Sequence, residues 1–158
     1  MVGIVSGNRI RASVVQFGFC GVRAEALSAT ARAFCTEVVS AAVRPMALAR
    51  IRWRQERGDM VVVVSGALDV YLKHWCKDHG LELICSRLEE HDGILTGGYQ
   101  EAQCIGEEKR RRIRERYDLE SFEHVYAYGD TRDDAEMLEL AHTRFFRWKL
   151  VSGGESHG

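Results

Sequence analysis

The spacing of hydrophobic positions changes near residue 58. Upstream, Ala24 to Val39 and Ala47 to Arg57 carry apolar residues at helical intervals among Ala, Leu, Arg and Glu, and Pro45 stands where a proline opens a helix from its first turn. The first third is therefore expected to be mostly helical. After Gly58 and Asp59 comes Met60-Val-Val-Val-Val64, a short β-branched run of the kind buried on both faces of a parallel sheet. A helix is predicted over Leu68 to Asp78, with Leu68, Tyr71, Leu72 and Trp75 on one face and Gly80 as its stop, followed by a strand over Leu81 to Cys85.

Arg87 to Tyr99, with Asp92-Gly93 and Gly97-Gly98, reads as a hairpin ahead of a charged helix from about Glu107 to Tyr117. Val125 to Tyr128 reads as a strand, Asp133 to Leu140 as a final helix, and Arg144 to Trp148 as a short last strand. Strands alternating with helices imply right-handed crossovers, an α/β fold and a mainly parallel sheet, with its ligand site beyond the carboxyl ends of the strands.

Composition narrows the class without naming it. The 158 residues suffice for one domain, and 46% hydrophobic with 28% charged residues is ordinary for a folded globular chain. A formal net charge of -1 gives no global field for nucleic acid, so no nucleic-acid partner is expected. The longest uncharged stretch, Ala12 to Val22, is far shorter than the roughly 20 residues a membrane-spanning helix needs. Met1 to Ile10 lacks the regions of a signal peptide, and the expected location is cytoplasmic. Cys20, Cys35, Cys76, Cys85 and Cys104 form no C-x-x-C pair, and His74 and His79 do not share a helix face, so thiol or imidazole metal chemistry is not expected.

Three motifs fall at strand ends. In Val61-Val-Val-Val-Ser65-Gly66-Ala67 the Ser65 hydroxyl and the N–H groups of Gly66 and Ala67, at a helix start, can hold a phosphoryl oxygen; a plain serine N-cap is the alternative. In Gly106-Glu-Glu-Lys109, Lys109 shares a face with Ile113 and Tyr117, so its ammonium points inward and needs an anion; a lysine snorkelling from an arginine-rich helix, or a polyanion patch over Lys109 to Arg116, are the alternatives. In Gly129-Asp130-Thr131-Arg132-Asp133-Asp134, Asp130 follows a glycine and Asp134 returns one turn later, giving hard oxygen ligands for Mg²⁺; Thr131-x-x-Asp134 is equally close to a capping box.

In this order the three motifs resemble the second, third and fourth motifs of the haloacid dehalogenase superfamily, and most closely its phosphoserine-phosphatase-like branch with a helical cap, phosphatidylglycerophosphatase-type relatives included. The resemblance covers about Ile10 to Leu150. It implies a three-layer Rossmann-like core over residues 58–150, preceded by part of a cap over residues 1–57 and followed by a disordered tail over residues 151–158. It also implies a Mg²⁺-dependent phosphomonoester hydrolase acting on a small phosphorylated substrate, phosphoserine-like or a lipid phosphate. On that resemblance Ser65 and Gly66 bind the phosphoryl group, Lys109 steadies an aspartyl-phosphate, Asp130 ligates Mg²⁺, Asp134 supports the ligand shell and Asp133 is an auxiliary ligand. The family's nucleophile comes from an N-terminal D-x-D motif ending the central strand. Here no aspartate precedes Asp59, the upstream acids are Glu25, Glu37 and Glu56, and Met1 to Ser6 ends without a carboxylate. The sequence thus predicts an N-terminally truncated member that lacks both the nucleophile and the central first strand; a catalytically inert module that binds phosphate or a protein partner is the alternative.

Overall fold

The structure is a computed structural model of the 158-residue chain and describes Val15 and residues 18–151. The expectations for Met1 to Ser6 and for residues 152–158 lie outside the described residues. Two compact units divide the chain, Met1–Gln103 and Cys104–Gly158.

In the first unit, α1 (Ala24–Phe34) runs into a π-helical segment, Cys35–Val39, and a single turn, Ser40–Ala42. The one helix expected to Val39 therefore changes its hydrogen-bonding step at Cys35. The cause is local: Ser40 donates both its backbone N–H and, at 3.2 Å, its hydroxyl to the Cys35 carbonyl, five residues back. Helix α2 (Pro45–Glu56) begins at its proline, and Arg44 before it is extended, as a residue preceding proline must be. Gly58, at φ 80°, ends that helix, with Asp59 N–H donating back to the Arg54 carbonyl at 3.1 Å.

Strand β1 (Val62–Leu68) pairs in parallel with β2 (Glu82–Ser86), and α3 (Asp69–Asp78) connects them. Trp75 and Cys76 of α3, with Cys35 and Leu81, form a buried cluster against which Leu48, Ile51, Val61 and Val63 pack, so the helices of the first third share a core with β1. Strands β3 (Leu88–His91) and β4 (Ile94–Tyr99) make the expected hairpin, turning on Asp92 and Gly93 at φ 50° and 77°, the left-handed pair that Asp-Gly supplies readily.

The second unit holds α4 (Glu107–Arg116), a 3-10 turn (Leu119–Ser121), β5 (Tyr126–Gly129), a second 3-10 turn (Arg132–Asp134) and the short α5 (Ala135–Leu138). Strand β6 (Thr143–Phe146) runs parallel to β5 and β7 (Lys149–Val151) antiparallel to β6. The final helix is shorter than its predicted span because its first turn is 3-10. Strand β7 was not anticipated, since its turn, Arg147-Trp148, contains neither glycine nor asparagine. Val151, expected in the tail, is its last residue. The α/β class and its parallel pairings agree with the expectation from sequence.

The cysteines are all free, with Cys35, Cys76, Cys85 and Cys104 buried and Cys20 exposed. Burial pushes the Cys76 thiol up to about 11, as expected of a packing thiol rather than a reactive one. Among the described residues no helix is long and apolar enough to cross a membrane.

Candidate functional site at the end of strand β5

Strand β5 delivers Gly129 and Asp130 to its carboxyl end, and the backbone then turns back on itself. The carboxylate of Asp134 closes that turn: its Oδ2 accepts the N–H groups of Asp130 and Thr131, each at 2.9 Å, and the Thr131 hydroxyl at 3.1 Å. Gly129 is needed for close approach rather than for its dihedrals. A Cβ there would stand 2.8 Å from the Asp134 Cβ and 3.1 Å from Leu138 Cδ1.

Helix α4 supplies the counter-charge. Gly106, in its N-cap position, has φ 53° and ψ -129°, a conformation that glycine adopts without a side-chain clash, and its N–H donates to the Asp133 carbonyl at 2.9 Å. This bond joins Gly106-Glu-Glu-Lys109 to the acidic loop. Lys109 and Ile113, four residues apart, are the buried positions of α4, so the inward face read from their spacing is the observed one. The Lys109 ammonium donates to Asp134 Oδ1, both side chains being about a tenth exposed or less. Burial raises the Asp134 carboxyl, but the Lys109 ammonium and the Asp130 and Thr131 N–H groups outweigh it and hold the carboxyl below its ordinary value.

Both oxygens of Asp134 are thus engaged in holding the loop and Lys109, while Asp130 is exposed at the strand end and Asp133 is half-buried. Among the described residues no group of three or more His, Cys, Asp or Glu side chains gathers as a ready metal cage. Carboxylates of the hard-oxygen type are present in the number that Mg²⁺ commonly takes from protein, one or two, with phosphate and water completing its shell.

Three of the other basic residues of α4 are paired with carboxylates. Arg110 pairs with Glu107 and Glu139, and Arg111 and Arg112 pair with Glu108, at 2.5–3.1 Å. That pairing offsets part of the charge of the run Lys109 to Arg116.

The order and strand-end placement of these groups can be set beside known proteins. The family profile described as haloacid dehalogenase-like hydrolase matches residues 5–139. The chain belongs to that family. Protein CicA of Caulobacter vibrioides is 29% identical over 141 residues, covering 88% of this chain, and the chain spans 63% of that relative's length. A crystal structure of a protein of unknown function from Bordetella pertussis Tohama I superposes with a TM-score of 0.78 at 20% identity, covering 90% of this chain and 66% of that one. A HAD family hydrolase from Salmonella enterica serovar Typhi superposes at 0.63 with 20% identity, covering 87% and 45%, and a phosphoserine phosphatase from T. onnurineus at 0.56 with 23% identity, covering 92% and 63%. These likenesses establish the haloacid dehalogenase fold.

Ser65 and Gly66 belong to the first unit, and their local geometry departs from the sequence expectation. Strand β1 continues through both of them to Leu68, and α3 starts only at Asp69. The ladder steps from Ser65 opposite Cys85 to Leu68 opposite Ser86, so Gly66 and Ala67 bulge out of register, and Ala67 N–H donates to Ser65 Oγ at 3.1 Å. The Gly66 N–H therefore lies in a β-bulge and not at a helix start, and the Ala67 N–H, expected to face a phosphoryl oxygen, is taken up by Ser65 Oγ. The sequence reading missed Arg147, whose Nε donates to the Asp130 carbonyl at 3.3 Å; nothing in Arg144-Phe-Phe-Arg147 signals a turn.

Proposed function

We propose that the chain carries the phosphoryl-binding machinery of a Mg²⁺-dependent phosphomonoester hydrolase of the haloacid dehalogenase type, with a small phosphorylated substrate, phosphoserine-like or a lipid phosphate. The observation that carries this reading is the buried Lys109–Asp134 pair, which fixes a cation behind an exposed carboxylate, Asp130, at the end of β5. Lys109 would neutralise phosphoryl charge as a point charge, and its fixed position means that little reorganisation accompanies binding. Asp130, with Asp133 as auxiliary, would hold Mg²⁺, and Asp134 would set their positions through the loop N–H groups. Bound Mg²⁺ would offset charge on phosphoryl oxygens. Ser65 and Gly66 belong to the first unit, and a phosphoryl-binding role for them rests on the family resemblance.

The nucleophile stands apart in this proposal. No aspartate precedes Asp59, and Asp59 is occupied with Arg54 at 3.1 Å. Binding of phosphate is therefore expected without turnover by the chain alone. Calorimetric titration of inorganic phosphate in the presence of Mg²⁺ tests the site: heat should be released with wild type and greatly reduced with Asp130→Asn, whose exposed side chain can change without disturbing the core. A flat wild-type trace, or full binding by the variant, would remove the assignment. Release of phosphate from a generic ester by the purified chain would instead overturn the statement about the nucleophile.

A further inference from the structure

The turn between β6 and β7 is built from residues that resist its geometry. Two-residue hairpin turns with both φ values positive favour Asn-Gly or Asp-Gly, yet here Arg147 and Trp148 sit at φ 48° and 66°. The surroundings hold them there: Arg147 N–H donates to the Gly129 carbonyl at 2.8 Å, and the Trp148 ring lies 6.0 Å from that of Tyr128, itself stacked on Phe145 at 4.7 Å. The consequence is a guanidinium at the end of β5. Its Nε is tied to the Asp130 carbonyl at 3.3 Å and its carbon lies 5.2 Å from the Phe146 ring centroid, so its orientation is set from two sides.

Arg147 is exposed, and among the described residues its two terminal nitrogens have no hydrogen-bond or ion-pair partner. A planar fork with a fixed root and free tips is suited to bidentate contact with an oxyanion. The cation assigned to phosphoryl charge, Lys109, is buried, whereas Arg147 is on the outer side of the same strand end. A substrate whose phosphoryl group faces inward presents its leaving group outward.

We propose that Arg147 is a specificity residue that grips a second anionic group, carboxylate or phosphoryl, on the leaving-group portion of the substrate. This rests on the phosphoryl-site reading above.

The test is calorimetry in the presence of Mg²⁺ with inorganic phosphate, glycerol 3-phosphate, 3-phosphoglycerate and 1,3-propanediol bisphosphate. Wild type should bind 3-phosphoglycerate or the bisphosphate about 10-fold more tightly than glycerol 3-phosphate, and the stronger of the two identifies the anion. In Arg147→Gly, which relieves the left-handed backbone and removes the fork, that preference should collapse while the thermal midpoint stays level or rises. Arg147→Lys should retain part of the preference. A merely structural arginine would give the opposite pattern, a lowered midpoint with the preference intact, and that result would overturn the inference. So would a wild-type protein that binds neither 3-phosphoglycerate nor the bisphosphate more tightly than glycerol 3-phosphate. Absence of binding to every ligand, inorganic phosphate included, would instead overturn the phosphoryl site itself, and this inference with it.

Discussion

Lys109 and Asp134 lie 25 positions apart in the sequence, yet the ammonium of one donates to the carboxylate of the other in the interior of the second unit. The pair is not symmetric. Asp134 retains three donors on its other oxygen when Lys109 is removed, whereas among the described residues Asp134 is the one carboxylate that pairs with Lys109. Asp134→Asn should therefore cost about 3–5 kcal/mol by stranding a buried cation, and Lys109→Met roughly 1–3 kcal/mol. The double variant should be more stable than Asp134→Asn. Urea unfolding of the three proteins measures this, and an Asp134→Asn cost below about 1 kcal/mol would show that the pair is not the support argued for it.

Much of this site was legible in the sequence because its parts are local patterns. The i, i+4 spacing of Lys109 and Ile113 turned the lysine inward, and Gly129-Asp130 with Asp134 one turn later marked a tight strand-to-helix corner. What escaped were features set by tertiary contacts. The bulge at Gly66 and Ala67 depends on β1 stepping its register against β2, and a run of valines followed by Ser-Gly carries no mark of where the ladder will slip. Arg147 and Trp148 adopt left-handed dihedrals that their side chains disfavour, so local propensity pointed away from the hairpin that neighbouring rings and the Gly129 carbonyl impose. Helix α5 was overextended because acidic first-turn residues look alike in 3-10 and α conformations.

Gly129 offers a steric test. An added methyl must find room where Asp134 Cβ would be 2.8 Å away and Leu138 3.1 Å. Since the nearest atom belongs to the short, hydrogen-bonded Asp134 side chain, it has little freedom to yield. Gly129→Ala is expected to lose about 1–3 kcal/mol, in the range for overpacking, and to weaken Mg²⁺-dependent phosphate binding by displacing the loop that carries Asp130. Thermal unfolding with calorimetry checks both. A variant as stable as wild type would show that the corner has slack.

Acid should act on α4 in a defined window. The Glu108 carboxyl is held at about 2, first by side-chain hydrogen bonding from Arg111, against an opposing effect of burial, and then by Arg112. Its unfolded counterpart titrates near about 4.3. A depressed folded value means that the stabilisation is fully present above the unfolded value and is lost as pH falls toward 2. Glu108→Gln should accordingly be less stable than wild type by roughly 1 kcal/mol at neutral pH, the scale of helix-surface pairs, with the difference closing between about pH 4.3 and 2. Asp134 is shifted in the same sense, so both proteins weaken in acid, and the share owed to Glu108 is read from their difference. A gap that stayed constant down to pH 2 would refute the assignment.

Asp59 brings the question of the nucleophile to a single residue. It is the first aspartate of the sequence, and a carboxylate is what an aspartyl-phosphate chemistry requires. Its surroundings point elsewhere: Oδ2 accepts from Arg54 Nη1 at 3.1 Å, and its N–H returns to the Arg54 carbonyl, closing the end of α2 ahead of β1. Arg54 is 8% exposed, so the pair ties a buried guanidinium at the junction between helix and strand. Asp59→Asn keeps the shape and removes the charge, and it should cost about 1–2 kcal/mol through loss of a charge-assisted hydrogen bond. Phosphate affinity measured by the same calorimetry should remain at the wild-type value. If the substitution instead abolished phosphate release that the wild-type chain performed, Asp59 would have to be moved from the framework into the chemistry, and the proposal that the chain binds without turnover would fall.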